Sequence, residues 1–243
     1  MAKFGLIGKN IDYSFSKSYF TKKFENENLT HNYQNFDIST ISEFPEVIKS
    51  TEDLRGLNIT IPYKEAVIPY LDKLDKKARA IGAVNTIKIT KKGKLVGSNT
   101  DYYGFQKSIA PFIKSHHKKA LILGTGGASK AIAYALERLG ITYHFVSRTA
   151  SDTVDFTYDT LSEKDISEHQ IIINCTPLGT SPNTNTCPQI PYDGISDAHL
   201  LYDLIYNPEE TKFLTIGKIK GASICNGHNM LELQAEKAWE IWR

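Results

Sequence analysis

The sequence predicts an α/β protein of two lobes, and three observations lead to that prediction. Strand-like and helix-like stretches alternate through the first hundred residues. A second alternating series starts at "ALILGTGGASKAIAYALERLG", an apolar run followed by a glycine turn and an amphipathic stretch. The chain then closes on "MLELQAEKAWEIW", in which Leu231, Ala235, Ala238 and Trp242 share one face at helical spacing.

In chain order, "KFGLIG" reads as a strand, "SKSYFTKKF" as a helix, "NYQNFDI" as a strand, "FPEVIKS" as a helix, "RGLNITI" as a strand and "DKKARAIGA" as a helix. Two alternating strands around Lys92 and Gly93, in "VNTIKITKKGKLVGSNT", form a predicted hairpin, expected to close the first sheet at one edge. The helix "YYGFQKSIAPFIK" and the polar linker "SHHKK" lead into the second series, whose later strands are "QIIIN", "HLLYDLIY" and "ASIC". A cleft is expected between the two lobes.

Composition narrows the function classes. With 29 basic against 27 acidic residues and no basic block, nothing points to nucleic acid or an anionic membrane surface, and a small-molecule partner fits better. The N-terminus lacks the apolar run of a signal peptide, and no stretch of about eighteen apolar residues occurs. A cytoplasmic protein is therefore expected. Cys175, Cys187 and Cys225 are odd in number and unpaired in spacing, which suits reduced thiols. "CNGH" supplies two metal-ligand types but no second pair, so no metal site is expected.

The glycine turn carries a nucleotide signal. Gly124 permits the tight turn and Gly126 lets backbone approach a pyrophosphate. The helix that follows offers free N–H groups and a positive dipole, and Gly140 is its expected C-cap. Ser129 stands where a third glycine is usual. The next strand, "ITYHFV", ends at Ser147, Arg148 and Thr149, where NAD-binding chains place an acid roughly 20 residues on. A guanidinium there pairs with a 2′-phosphate, so NADP is the expected cofactor. A solvated strand-end arginine is the plain alternative.

A second group of polar residues gathers where strands end. Asn58 and Thr60 alternate with Leu57, Ile59 and Ile61, Pro62 ends the ladder, and Lys64 follows. "GAVNT" brings Asn85 and "GSNTDYYG" brings Asp101, which also reads as a helix N-cap. Ser14 and Ser16 precede the first helix, either as caps or as paired hydroxyls for a carboxylate. Gln234 lies beside the closing helix's apolar stripe.

These segments together resemble the shikimate dehydrogenase family along nearly the whole chain. "GLIGKNIDYSFS", "GLNITIPYKEAV", "IGAVNT", "GSNTDYYGF", "ILGTGGASKAI", "SRT", "IINCTPLG", "DLIYNPEETKFL" and "NGHNMLELQA" occur in the family's order. The resemblance implies a substrate-binding domain over 1–101, completed by a helix at 228–243, and a Rossmann NADP-binding domain over 102–227. It implies NADPH-dependent reduction of 3-dehydroshikimate to shikimate, on the way to chorismate and aromatic amino acids. Ser14 and Ser16 would hold the substrate carboxylate; Asn58, Thr60, Asn85, Asp101 and Gln234 would contact ring hydroxyls. Lys64 and Asp101 would form the catalytic pair. Gly124, Thr125, Gly126, Gly127, Ala128, Ser147, Arg148 and Thr149 would bind the dinucleotide, with backbone at Thr176, Leu204 and Gly227 lining the nicotinamide. Hydride addition to a ketone builds charge on oxygen, which an ammonium at Lys64 would meet with a proton.

Three departures stand out. Tyr13 and Lys17 flank the serine pair where the family has His-Ser before it and Ser-Pro after. The stretch 149–171 is short and without an apolar helical stripe, so a helix beside the adenine is expected to be missing or reduced. His228 stands where the family favours leucine. The sequence leaves room for a quinate or aminoshikimate dehydrogenase, or for a non-catalytic dinucleotide-binding module. It fits a monomer or a homodimer, with hinges near Asp101 and in 221–227.

Overall fold

Strand β1 (Lys3–Gly8) is buried from its second residue to its last because it lies inside a sheet, between two neighbours. Its alternating side chains feed two apolar clusters: Phe4 and Leu6 join one, Ile7 the other. The computed structural model describes residues 1–11 and 14–243, so the Tyr13 departure lies outside the described residues. The chain divides into two units, Met1–Thr100 with Ala235–Arg243, and Asp101–Gln234.

In the first unit β1 is followed by helix α1 (Phe15–Asn26), strand β2 (Asn32–Asp37), helix α2 (Phe44–Ser50) and strand β3 (Leu54–Ile59). Then come strand β4 (Lys73–Leu74), helix α3 (Lys76–Ile81) and strands β5 (Thr86–Ile89) and β6 (Leu95–Ser98). The sheet order is β2-β1-β3-β5-β6-β4. Strand β1 runs parallel to β2 and β3, whereas β5 is antiparallel to β3 and β6. Local chemistry sets the ends: Pro45 sits in the first turn of α2, and Asp75 caps α3 by accepting from Ala78 N at 2.7 Å. Gly93, at φ +75°, turns the predicted hairpin. That hairpin does not close the sheet, however. The two-residue strand β4 pairs outside β6 and takes the edge, and two residues carry too little periodicity to be read from sequence.

The second unit opens with helix α4 (Asp101–Ile109) and strand β7 (Lys119–Leu123), helix α5 (Gly127–Arg138), and strands β8 (Thr142–Ser147) and β9 (Phe156–Thr157). Helix α6 (Glu163–Glu168), strand β10 (Ile171–Asn174), strand β11 (Leu200–Asp203), helix α7 (Lys212–Ile219) and strand β12 (Ser223–Cys225) follow. The order β12-β11-β10-β7-β8-β9, parallel throughout, is the doubly wound 3-2-1-4-5-6 arrangement of a dinucleotide-binding sheet. Among the described residues, which include all of 148–155, no helix joins β8 to β9; the chain crosses as loop and turn, the reduction expected from the short segment.

Helix α8 (His228–Trp242) ends the chain, with residues through Gln234 in the second unit and the rest in the first. Ala235, Ala238, Trp239 and Trp242 complete the cluster of Phe4, Phe20, Phe24 and Tyr33. The helix lies so close to β3 that a Cβ on Gly56 would stand 2.4 Å from the Trp242 ring. Among the described residues no helix is long and apolar enough to cross a membrane.

Candidate active site and dinucleotide loop

In the first unit Tyr33, Asn58, Asn85 and Thr100 form one buried hydrogen-bonded chain. Ser14 is the N-cap residue of α1, yet its side chain makes no capping bond, and its Oγ is buried with no hydrogen-bond partner among the described residues. The capping alternative for Ser14 is thereby removed. Ser16 lies inside the helix, so it is not the cap either, and its hydroxyl lies near the Tyr33 phenol. Tyr33 in turn donates to Asn58 Oδ1 at 2.8 Å. Burial holds the Tyr33 phenol well above its usual range, with the nearby Ser16 hydroxyl pulling the other way. Asn58 Nδ2 reaches Asn85 O at 3.3 Å and Thr86 Oγ1 at 3.4 Å. Asn85 then fixes Thr100: it accepts from Thr100 N at 2.7 Å and donates to Thr100 Oγ1 at 2.9 Å.

Lys64 is tied to the same framework through its backbone. The chain leaves β3 by a turn in which Tyr63 N donates to Thr60 O at 2.9 Å, and Val84 N donates to the Lys64 carbonyl at 2.7 Å. Lys64 therefore stands beside the 83–86 segment that carries Asn85, and its side chain is half-buried. Thr60 closes the strand by donating its N–H to Ile7 O at 2.9 Å. Asp101 follows directly on the anchored Thr100 and is buried, at 6% exposure. It is the first residue of α4 rather than its cap, because the helical backbone already includes it.

Within the second unit, α4 brings Gln234 into place. A Cβ on Gly104 would stand 2.5 Å from Met230 O and 3.1 Å from Gln234 Cβ, so the bare glycine lets α8 lie against α4 one turn after Asp101. Gln234 is buried there, its amide donating to Leu231 O at 3.0 Å.

The glycine turn has the conformation that the sequence suggests. Gly124 has φ +104°, open to glycine and strained for other residues, and Gly140 at φ +71° follows the end of α5. Gly126 is the N-cap of α5, with no side chain capping the helix and open space where its Cβ would be. Thr125 and Gly126 are exposed, Gly127 and Ala128 half so, and the first N–H groups of a twelve-residue helix face that space. Ser129 is buried and donates to Gly126 O at 2.6 Å, so the third position packs the turn rather than contacting a ligand. Arg148 and Thr149 are exposed at the end of β8, and Thr149 N reaches Ser147 Oγ at 3.5 Å. This donor set fits a pyrophosphate with a further phosphate near the guanidinium.

The three backbone positions expected to line the nicotinamide sit together at the ends of β10, β11 and β12. Leu204 N donates to Asn174 O at 3.0 Å, and Gly227 lies so near Leu204 that a Cβ would stand 2.1 Å from its carbonyl oxygen. Two residues not singled out by sequence hold them. Asn174 Oδ1 accepts from Thr176 N at 3.0 Å and Thr176 Oγ1 at 2.6 Å. Asp203, its register partner, accepts from Asn174 Nδ2 at 3.0 Å, Ile205 N at 3.0 Å and Thr211 Oγ1 at 2.6 Å. Complete burial pushes the Asp203 carboxyl up to about 6 despite those donors. A polar side chain in the last position of each of two buried strands is the signal that marks both. His228, exposed, places Nε2 3.5 Å from Glu232 Oε1. Among the described residues no group of three or more His, Cys, Asp or Glu could hold a metal, and Cys175, Cys187 and Cys225 form no disulfide.

Residues 6–87 match the family model described as the shikimate dehydrogenase substrate binding domain. The NADP(+) shikimate dehydrogenase of Clostridium beijerinckii is 38% identical, the match covering 100% of this chain and 92% of that one. That of Carboxydothermus hydrogenoformans is 37% identical over 98% of this chain and 90% of its own. The shikimate 5-dehydrogenase of Thermus thermophilus, solved with NADP(H) and shikimate, superposes with a TM-score of 0.88 at 29% identity, covering 100% of this chain and 93% of the other. The chain belongs to the shikimate dehydrogenase family.

Proposed function

We propose that the protein is an NADP-dependent shikimate dehydrogenase, reducing 3-dehydroshikimate to shikimate in aromatic amino acid biosynthesis and working in the cytoplasm. The observation that carries the reading is Ser14, whose hydroxyl is buried without a partner among the described residues, in the unit that also holds the Tyr33, Asn58 and Asn85 chain. A buried polar atom left unpaired costs about 1–3 kcal/mol, and a substrate carboxylate would relieve it.

In this reading the first unit binds substrate and the second binds NADP. Ser14 and Ser16 hold the carboxylate, while Asn58, Thr60, Asn85, Asp101 and Gln234 meet the ring hydroxyls. Gly124, Thr125, Gly126, Gly127 and Ala128 cradle the pyrophosphate, and Ser147, Arg148 and Thr149 receive the 2′-phosphate. Backbone at Thr176, Leu204 and Gly227 lines the nicotinamide. NADPH supplies the hydride. Lys64 gives its proton to the ketone oxygen as charge builds there, and Asp101 orients the ammonium; the reverse reaction releases a proton, so oxidation of shikimate gains from alkaline pH.

The test is absorbance of reduced cofactor when purified protein meets shikimate and NADP at mildly alkaline pH, with NAD or quinate substituted in turn. Rapid reduction of NADP with shikimate is the expected result. Lys64→Ala should depress kcat by orders of magnitude with KM little changed. Turnover with quinate or NAD alone would overturn the specificity, and near-normal kcat in Lys64→Ala would remove its role.

A further inference from the structure

The acid at the end of β11 stands where an ionised group is disfavoured. Asp203 and two side chains bonded to it, Asn174 and Thr211, are each fully buried. Lost hydration pushes the Asp203 carboxyl up to about 6 from its ordinary 3.8, so its charge costs the fold stability rather than adding to it. What the carboxyl offers is two oxygens for three donors, and those donors belong to different segments of the chain.

Its Oδ1 accepts from Asn174 Nδ2 and from Ile205 N, both at 3.0 Å, and its Oδ2 accepts from Thr211 Oγ1 at 2.6 Å. Ile205 and Thr211 stand near the two ends of the segment between β11 and α7, so one carboxyl holds that segment at both. Asn174 extends the hold to the segment after β10: it accepts from Thr176 N and Thr176 Oγ1 and donates to Leu178 O at 3.3 Å. The segment after β12 is tied in through the first, because Gly227 N donates to Ile205 O at 3.0 Å and Asn226 Nδ2 to Glu209 O at 2.9 Å. Thr176 also lies against the glycine turn, where a Cβ on Gly124 would stand 3.3 Å from its methyl carbon. Thr176, Leu204 and Gly227 are thus each within one residue of a bond that leads back to Asp203.

We infer that Asp203 is a positioning residue for the nicotinamide: its carboxyl fixes the backbone at Thr176, Leu204 and Gly227, against which the reacting ring lies. This rests on the NADP reading of the second unit. In that reading the adenosine half of the cofactor takes the glycine turn and Ser147 to Thr149, none of which bonds to Asp203, so loss of the carboxyl is felt at the ring and not at the 2′-phosphate. Hydride transfer needs its two carbons close and aligned, and a misplacement of about 1 Å can slow it on the order of 100-fold.

The experiment compares the full chain with Asp203→Ala in the reduction of 3-dehydroshikimate, using NADPH and NADPH deuterated at the transferred position. In the variant kcat should fall about tenfold or more, and the primary deuterium isotope effect on it should rise above that of the unmodified protein. Inhibition by 2′,5′-ADP, which lacks the nicotinamide, should stay within about twofold, and this also shows that the variant is folded. Asp203→Asn keeps an oxygen for Asn174 and Ile205 and an amide for the Thr211 hydroxyl, and should restore most of the lost rate. If the alanine variant does not fold, Thr211→Val removes one of the three donors and should lower kcat about threefold with the same rise in isotope effect. An unmoved isotope effect, or a parallel weakening of 2′,5′-ADP, would overturn the inference. So would an asparagine variant as slow as the alanine one, since charge and not position would then be what Asp203 supplies. Failure of the unmodified protein to oxidise NADPH would overturn the NADP reading instead, which keeps the two failures apart.

Discussion

Asp203 should make the protein less stable as pH rises through the mildly acidic range, and replacing it with asparagine should abolish that trend. The carboxyl is fully buried and titrates near 6 in the folded chain, against an ordinary 3.8. Below about pH 4 it is protonated in both folded and unfolded chains and costs nothing. Between there and about pH 6 the unfolded chain gives up its proton while the folded chain retains it, so stability falls with pH through that window. At about 1.4 kcal/mol for each pH unit separating the two values, the loss is about 3 kcal/mol by pH 7. Asp203→Asn keeps a neutral side chain of the same shape throughout. The gap in unfolding free energy between the two proteins should therefore shift by about 3 kcal/mol in favour of the variant from pH 4 to pH 7. Urea denaturation followed by far-UV circular dichroism measures it; tryptophan emission would not serve, because Trp239 and Trp242 both lie in the first unit. A gap that stays constant across the two pH values would refute the reasoning.

Other outcomes follow from single contacts. Tyr33→Phe removes the phenol that donates to Asn58, which should cost about 1–3 kcal/mol and raise KM for shikimate more than it lowers kcat; lost stability with KM unmoved would make the bond purely structural. Gly104→Ala sets a methyl 2.5 Å from the Met230 carbonyl, and overpacking of about 1–3 kcal/mol should lower Tm by several degrees in a melting scan. Arg148→Ala should weaken NADP about 10- to 100-fold in steady-state kinetics while leaving NAD nearly unchanged; equal losses for both would place the guanidinium elsewhere.

What could be read in advance was whatever a short stretch encodes by itself. The glycine turn, the hairpin tip at Gly93 and the strand-ending polar residues carry their conformation locally. Helix α7 did not show, because Gly217 sits in its middle and reads as a breaker. In the fold that glycine is buried against Leu201, where a Cβ would stand 2.3 Å from a methyl carbon, so packing overrides propensity. A cap signal was present at Thr211, which accepts from Leu214 N. Helix α6 spans six residues, too few for a stripe, though Ser162 and Asp165 spell a capping box. Tyr33, Asn174 and Asp203 escaped notice for a different reason. Their partners lie 25 and 29 residues away, and only the sheet register brings them together.

The division of α8 between the units has a consequence for how the chain is made. Phe4, Phe20 and Phe24 belong to the earliest part of the chain, but the apolar cluster that covers them is completed by Ala235, Ala238, Trp239 and Trp242. During synthesis the first unit therefore waits with aromatic side chains uncovered while the whole of the second is produced. The second, whose sheet strands all lie within 119–225, can form its core before the first is complete. A fragment ending at Thr100 would leave the same aromatic face open, so the first unit is better isolated by joining residues 235–243 to it through a linker than by cutting the chain at its first boundary.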